Sequence, residues 1–202
     1  KYNLKVIYDA AHTFGETYKG AGVGIFGDAS CFSFHATKVF NTIEGGATVY
    51  SDEDFGLDLY RLKNFGIRGT ECVDSVGANA KMNEFCAAMG ICNLRHLENE
   101  IEKRRIVAER YRMHLEEVEG IQLNPIQKDV KVNYAYFPVI FDRNTFGADR
   151  DEVFEALEKN QIGGRKYLYP IASDFDCYKD KYDSVSDFYN DFIALGGEIE
   201  QL

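Results

Sequence analysis

The feature that most constrains the fold is a short apolar run near the start of the chain that ends at an acid. Leu4, Val6, Ile7 and Tyr8 precede Asp9, a pattern typical of a buried parallel strand, because such strands are covered on both faces. In open α/β sheets the carboxyl ends of the strands open onto a ligand crevice. The run therefore predicts an α/β fold with Asp9 at the mouth of a binding site.

A lysine follows the next strand candidate. The alternation of residues 31–34 predicts a strand, Lys38 comes four residues later, and the pair Gly45-Gly46 then allows close backbone approach. A lysine at such an edge, beside a pocket, can lose part of its solvation, which frees its amine for imine chemistry with an aldehyde. The alternative is a solvated surface lysine, which is the commoner situation.

Asp9 needs a partner if the strand before it is buried. A poorly solvated carboxylate requires a cation or a hydrogen-bond donor, and the pyridinium nitrogen of pyridoxal phosphate (PLP) is one that an imine-forming lysine would bring with it. By keeping that nitrogen protonated, Asp9 would let the ring accept electrons. The alternative is an acid at a strand end that caps the following turn or helix.

Composition limits the function classes. The chain has 202 residues, 45% of them hydrophobic, which suffices for one moderate domain or for part of a larger one. A net charge of -10 argues against nucleic acid and anionic membranes as partners, and no apolar run reaches the length of a membrane helix. Five cysteines without a C-x-x-C pair indicate reduced thiols in a cytoplasm, and we expect no metal site.

The glycines at 22, 24 and 27 match the dinucleotide pattern G-x-G-x-x-G. That motif requires a preceding strand and a helix that opens on the glycines, whereas here an alternating strand follows. We therefore predict a tight loop and not an NAD site.

The remaining periodicities predict the following elements. Ser51 or Asp52 caps a helix whose apolar side is Leu57, Leu59, Tyr60 and Leu62. A long helix runs from Asn83 to about Glu119 and ends at Gly120. Strands follow at 121–123 and 133–141, then a helix at 149–160, and an aromatic, basic strand at 165–170 that is either a substrate wall or an edge strand.

Several separate motifs together resemble one family. They are Asp9-Ala-Ala-His12, Ser33-Phe-His-Ala-Thr-Lys38, Glu44-Gly-Gly46, Gly77-Ala-Asn79-Ala-Lys-Met82 and Ala87-Ala-Met-Gly90. In order and spacing these are similar to the DegT/DnrJ-type nucleotide-sugar aminotransferases, a family of PLP fold type I enzymes. The match is close over residues 1 to about 140 and looser to about 178.

The resemblance implies a role for each of five residues. Lys38 would be the Schiff-base lysine and also the proton-transferring base, and Asp9 the partner of the pyridine nitrogen. His12 would lie beside the ring hydroxyl, and Ser33 would bind the phosphate. Asn79 would reach the phosphate bound in the neighbouring subunit, which implies a homodimer with shared active sites.

The resemblance also implies the domain organisation. Residues 1–93 would form part of the PLP-binding large domain, with a mostly parallel sheet, residues 94–120 a connecting helix, and residues 121–202 a small α+β domain. Family members carry a substantial portion before the first strand found here, so we expect a fragment that lacks its N-terminal portion and is inactive by itself. The end, residues 178–202, departs from the family pattern.

The implied function is transfer of an amino group from an amino acid, with glutamate expected, to a keto nucleotide sugar. A related branch of the family that performs dehydration has histidine in place of the lysine, so Lys38 favours transamination. The alternative is a non-catalytic PLP-binding or regulatory module, or an inactive fragment of such an enzyme. Turnover of a keto sugar separates these hypotheses.

Overall fold

A computed structural model describes residues 2, 4–167 and 169–179 of the chain. The described residues divide into two compact units, which lie within residues 1–139 and 140–202. The strands are β1 (Ile7–Asp9), β2 (Thr17–Tyr18), β3 (Ala21–Gly22), β4 (Ala29–Ser33), β5 (Gly46–Tyr50), β6 (Ile67–Gly69), β7 (Cys72–Val73), β8 (Ile121–Leu123), β9 (Val130–Lys131) and β10 (Val139–Phe141). The helices are α1 (Glu53–Leu62), α2 (Glu84–Leu94), α3 (Leu97–Leu115), α4 (Arg143–Phe146), α5 (Arg150–Lys159) and α6 (Asp176–Lys179).

The first unit is organised around a three-stranded sheet in the order β1-β4-β5. β1 and β4 are parallel, with Asp9 opposite Cys31, which confirms the parallel pairing predicted for the first strand. β4 and β5 are antiparallel, so these three strands do not form the mostly parallel sheet that we expected. The reason is the connection: a parallel partner needs a long crossover, whereas the loop after β4 folds straight back into β5.

The prediction that the first strand is buried is wrong for this chain. Ile7 is 59% and Tyr8 48% exposed. Because successive side chains of a strand point to opposite faces of the sheet, both faces of β1 are open to solvent. β1 is an edge strand with β4 as its neighbour, so its apolar composition alone does not bury it.

The core of this unit is an aromatic cluster beneath the loop that follows β4. The ring of Phe14 stacks on Phe40 with centroids 4.4 Å apart, and it meets Phe34 edge-on at 5.3 Å. Phe34 and Phe40 are both buried. Aromatic rings in these arrangements contribute about 0.5–1.5 kcal/mol per pair beyond the area that they bury. The cluster therefore fixes the chain on both sides of residue 38.

The glycine-rich segment is a hairpin and a turn, as the prediction of a loop required. β2 and β3 pair antiparallel, a 3-10 turn covers Val23–Ile25, and β4 follows. No α-helix opens on these glycines, all of which are among the described residues.

Helix α1 begins as predicted, because the side chain of Asp52 accepts hydrogen bonds from the backbone N–H groups of Asp54 and Phe55. Its expected apolar side is largely solvent-exposed, since Leu57, Tyr60 and Leu62 are all exposed. The side that packs is instead marked by Gly56, which is buried against the ring of Tyr50.

The single long helix predicted from Asn83 to Glu119 is two helices, α2 and α3. At the break, the N–H of Arg95 donates to the Cys92 carbonyl oxygen and that of His96 to the Asn93 carbonyl oxygen. These three-residue turns replace the four-residue bonds of an α-helix, and α3 starts after them at Leu97. α3 also ends at Leu115, before Gly120, which takes a left-handed φ of 80° in the turn to β8.

The strand predicted for residues 133–141 is confined to β10. Asn133 accepts a hydrogen bond from the Ala135 N–H through its side chain at 2.9 Å, and Tyr134 has a φ of 55°. This side-chain turn is a local alternative to strand pairing, so the segment bends before β10 begins.

In the second unit, α5 confirms the helix predicted at 149–160. It begins with a full capping box between Asp149 and Glu152. The strand expected at 165–170 is absent from its described residues. Lys166 instead pairs with Asp151 at 3.1 Å and lies over the ring of Phe154, which ties this segment to α5. The departure from the family pattern beyond residue 179 lies outside the described residues. No helix among the described residues has the length and apolar composition to span a membrane.

Candidate active site

The candidate site lies at the carboxyl edge of the parallel strands β1 and β4. Asp9 is the last residue of β1, and Ser33 is the last residue of β4. Because parallel strands end at the same sheet edge, the two residues are brought to one side of the molecule. His12 and Lys38 lie in the loops that leave the two strands there, so four of the five predicted residues share this edge.

The Lys38 amine contacts the imidazole of His12. Lys38 is half-buried, and its Nζ lies 3.1 Å from Nδ1 and 3.4 Å from Nε2 of His12. The loop that carries Lys38 is closed by two backbone bonds, from Thr42 N–H to the Phe34 carbonyl oxygen and from Phe34 N–H to the Gly45 carbonyl oxygen, at 2.9 and 2.8 Å. The amine is therefore held on a rigid loop and is not a freely solvated lysine.

The surroundings of His12 favour its neutral form. Partial burial lowers the pKa of His12 below its usual 6.5, the positive charge of Lys38 lowers this pKa further, and Asp9 acts in the opposite direction. A neutral imidazole nitrogen can accept a hydrogen bond from the Lys38 ammonium. The ring of Tyr136 packs edge-on against His12 with centroids 4.8 Å apart, which gives the imidazole a second neighbour besides Lys38.

Asp9 is exposed in this chain, so the expected poorly solvated carboxylate is not what the structure shows. Its Oδ1 accepts a hydrogen bond from the Ala11 N–H at 3.0 Å. This is the turn-capping role that the sequence left open as an alternative. Asp9 is also close enough to His12 for its negative charge to act on the imidazole.

Ser33 is half-buried, and its Oγ accepts a hydrogen bond from the His35 N–H at 3.4 Å. The hydroxyl can still donate, so an anionic group at this edge would find an oxygen donor there. Thr37 adds a second hydroxyl, which contacts Nδ1 of His35 at 3.0 Å.

Asn79 is not part of this arrangement. It is exposed, its Oδ1 accepts a hydrogen bond from Lys81 Nζ at 2.6 Å, and its backbone bridges to Asn64. These contacts keep it on the open loop between α1 and α2.

Two residues that the sequence did not single out complete the site. Asn133 and Tyr136 line a small recess with His12, Thr37 and Lys38. Asn133 was placed in a predicted strand, and only its tendency to form side-chain turns could have marked it. Nothing in the sequence indicates that it lies beside His12, because the two are 121 positions apart.

The recess thus combines an amine, a neutral imidazole, a nearby carboxylate and hydroxyl donors. An amine held next to a hydrogen-bond acceptor can attack a carbonyl carbon and later carry a proton. The arrangement fits a ligand with an aldehyde, a ring nitrogen and an anionic group.

Comparison with known proteins also indicates an aminotransferase site. The model of the DegT/DnrJ/EryC1/StrS aminotransferase family matches residues 1–193. The dTDP-4-amino-4,6-dideoxy-D-glucose transaminase of Shigella dysenteriae is 41% identical over 179 residues, which cover 88% of this chain and 48% of that protein. The chain spans about half the length of the curated relatives that it matches.

Solved structures share the fold. The structure of DesI in the presence of its TDP-sugar product superposes with a TM-score of 0.80 and 35% identity, and it covers 90% of this chain and 46% of DesI. PseC of Helicobacter pylori, an aminotransferase of pseudaminic acid biosynthesis, gives a TM-score of 0.81 at 27% identity, over 92% of this chain and 52% of PseC.

Proposed function

The chain belongs to the DegT/DnrJ/EryC1/StrS aminotransferase family, and from this premise we propose that it forms part of a PLP-dependent enzyme that transfers an amino group to a keto nucleotide sugar. Two of the relatives named above are a dTDP-sugar transaminase and DesI, whose structure was solved with its TDP-sugar product, which supports this substrate class. Glutamate as the amino donor is part of the proposal.

One observation carries the proposal: the Lys38 amine lies 3.1 Å from the His12 imidazole, at the sheet edge where β1 ends with Asp9 and β4 ends with Ser33. The alternative, a solvated surface lysine, requires neither a half-buried position nor a loop closed by two backbone bonds. The chain's own residues therefore bring together the groups that an aldehyde cofactor requires.

These residues fit PLP by their chemistry. Lys38 would hold the aldehyde carbon, Asp9 the ring nitrogen, His12 would lie beside the ring hydroxyl, and Ser33 would bind the phosphate. When bound, PLP supplies an electron sink for the carbon of the amino acid or sugar that loses its proton.

The protein side of the reaction follows from the contacts. Lys38, freed from the cofactor, would move the proton between carbon atoms as a general base and acid. The carboxylate of Asp9 would favour a protonated ring nitrogen, because an anion stabilises the charged form of its neighbour. Asp9 must become less solvated for this effect to reach full strength, since water screens an exposed carboxylate.

We also propose that Asn79 acts in a homodimer, from one subunit on the phosphate bound in the other. In support, Asn79 is exposed on a loop of its own and not at the Lys38 edge. A two-fold dimer with two shared sites is the natural closed assembly for such an arrangement. The division into a large domain (1–93), a connecting helix (94–120) and a small domain (121–202) of the PLP fold type I belongs to the same proposal.

The test is turnover. Full-length protein loaded with PLP should convert a keto nucleotide sugar to an amino sugar with glutamate as donor. The reaction is measured through the 2-oxoglutarate formed and through mass spectrometry of the sugar. Cofactor binding without turnover of any keto sugar would instead support a non-catalytic PLP-binding module. A protein that does not bind PLP would overturn both.

A further inference from the structure

Asn133 is one of two side chains in the described part of the chain with an exposed fraction below 2%. It is 1% exposed, although an asparagine side chain is polar. A buried amide is tolerated only when its hydrogen bonds are made. The partners that Asn133 has found therefore indicate what it does.

The side-chain amide of Asn133 is fully engaged. Its Nδ2 donates to the carbonyl oxygen of His12 at 2.7 Å and to that of Phe14 at 3.0 Å. Its Oδ1 accepts from the N–H of Ala135 at 2.9 Å. Two carbonyls on one end and an N–H on the other leave a single orientation of the amide, because the reverse would oppose like groups at all three contacts.

The backbone of Asn133 is tied to the same loop. Its N–H donates to the carboxylate of Glu16 at 3.2 Å, and just before it β9 pairs with β2. The 12–16 loop and the 130–136 segment are thus joined by side-chain and backbone bonds.

This junction lies directly behind the site. The carbonyl that Asn133 holds belongs to His12 itself, and the His12 ring contacts Lys38 Nζ. Tyr136, three residues after Asn133, packs edge-on against that ring. A shift of the His12 backbone would separate the imidazole from both neighbours.

We propose that Asn133 is a positioning residue for the site, which fixes the His12 backbone and thereby holds the imidazole against the Lys38 amine. Its value for catalysis rests on the proposed function of Lys38. The geometric part, that Asn133 sets the His12–Lys38 contact, is independent of any cofactor.

The test measures His12 and Lys38 directly in the 202-residue chain. The ring C–H signal of His12 is titrated by NMR in wild type, Asn133→Ala and Asn133→Asp, and the rate of Lys38 acylation is followed by peptide mass spectrometry. Three titratable groups face His12: Lys38 from its loop, Asp9 from the end of β1 and Tyr136 from the segment after Asn133. The substitutions change none of these three groups, but Asn133→Asp adds a carboxyl whose negative charge would itself raise the pKa of His12, so Asn133→Ala is the deciding variant.

The matched control is Ser30→Ala. Ser30 is the other fully buried side chain and bonds the Phe26 carbonyl oxygen at 3.4 Å, at the opposite end of β4 from the site. It removes a buried polar group without touching the His12 loop.

We expect both Asn133 variants to raise the pKa of His12 toward 6.5 and to speed Lys38 acylation severalfold, while Ser30→Ala leaves both unchanged. In Asn133→Asp an oxygen replaces Nδ2 against two carbonyls, so its effect should be the larger one above the pKa of the new carboxyl. If folded Asn133 variants keep the wild-type His12 titration and Lys38 rate, or if Ser30→Ala shifts them equally, Asn133 has a general structural role and the proposal is wrong.

A wild-type measurement covers the case in which neither variant folds. The side-chain amide protons of Asn133 should exchange with solvent far more slowly than those of the exposed Asn99 and should shift as His12 titrates. Exchange at the Asn99 rate would refute the positioning role of Asn133.

A separate arm distinguishes this inference from the proposed function. In full-length protein with PLP, Asn133→Ala should lower kcat by about a hundredfold, the order expected for misplacement of a reacting group by 1 Å. Wild-type protein without turnover would contradict the proposed function only. Unchanged kcat beside a shifted His12 would limit Asn133 to the geometry and deny it a part in catalysis.

Discussion

Two regions of the molecule hold their shape in different ways. One is the loop edge around His12 and Lys38, and the other is the open loop of residues 64–80. The first combines backbone bonds across its loop with packed side chains, since Phe34, Phe40, Thr42 and Asn133 are all buried. The second is held by its backbone: the N–H of Ala78 donates to the Leu62 carbonyl oxygen at 2.8 Å and that of Ala80 to the Lys63 carbonyl oxygen at 2.9 Å.

The two regions also differ in what they leave in solvent. In the open loop Val76 is 94% exposed and Val73 66%, while backbone approaches so closely at Gly66 that a side chain there would collide with the Ser75 carbonyl oxygen. Side-chain packing within the chain therefore fixes the Lys38 edge, whereas the loop that carries Asn79 presents apolar groups outward. This difference is consistent with the proposal above that the site is shared between two chains.

The sharpest way to break this comparison is Lys38→Ala. We expect complete loss of the absorbance band that a lysine-linked PLP gives near the visible region, since only the conjugated linkage absorbs there. After borohydride treatment, wild type should carry the cofactor mass on the peptide with Lys38. Lys5→Ala, which removes a surface lysine paired with Asp28, is the control and should keep the band. A band that survives Lys38→Ala would remove this lysine from the site.

Asp9→Asn should have the next largest effect. The amide cannot hold a proton on the ring nitrogen, so turnover should fall by about a hundredfold or more, the cost of removing one preorganised electrostatic group, while the cofactor stays bound. Steady-state kinetics together with the bound-cofactor spectrum measure both. The amide can still accept the Ala11 N–H bond, so loss of the local turn would not explain the result. Wild-type turnover in this variant would exclude Asp9 from the mechanism.

The Asn79 prediction tests the second half of the comparison. Asn79→Ala should weaken PLP binding by about tenfold, since a hydrogen bond to a charged group contributes roughly 1.5–3 kcal/mol. Affinity is measured by titration of the apo protein.

A mixing experiment then asks whether the site is shared. Asn79→Ala protein is combined with Lys38→Ala protein, so that each hybrid dimer contains one intact and one doubly impaired site. Activity should partly return. If mass spectrometry confirms subunit exchange and no activity returns, although Asn79→Ala alone is impaired, the two halves do not come from different chains.

We expect the smallest effect from Glu16→Gln, which changes the pH dependence of stability and concerns only the loop edge around His12 and Lys38. Burial raises the pKa of Glu16 above its usual 4.5, and the hydrogen bond from Asn133 opposes this only in part. The folded chain therefore binds the proton more tightly than the unfolded chain, and stability is lost as pH rises from 4.5 through the folded pKa. Urea unfolding across this range should show that loss in wild type and not in Glu16→Gln, with Glu71→Gln on the open loop as the control for an exposed carboxylate. A parallel pH dependence in wild type and Glu16→Gln would contradict the burial.

The sequence by itself determined the short-range features. The Asp52 cap, the Asp149–Glu152 capping box and the parallel pairing of the Asp9 strand follow from local chemistry and strand pattern. The placement of Asp9, His12, Ser33 and Lys38 at one edge was also predictable, because strands that run parallel end together.

Tertiary structure decided what depends on residues far apart in the chain. Burial of β1 failed as a prediction because exposure depends on what covers a strand and not on its own composition. One missed feature is local: the long helix is broken at Arg95 and His96 by three-residue turns, which hydrophobic periodicity does not reveal. Asn133 reached His12 across 121 positions, and a contact of that separation leaves no periodic signal, because it exists only once β9 pairs with β2 and the aromatic cluster closes.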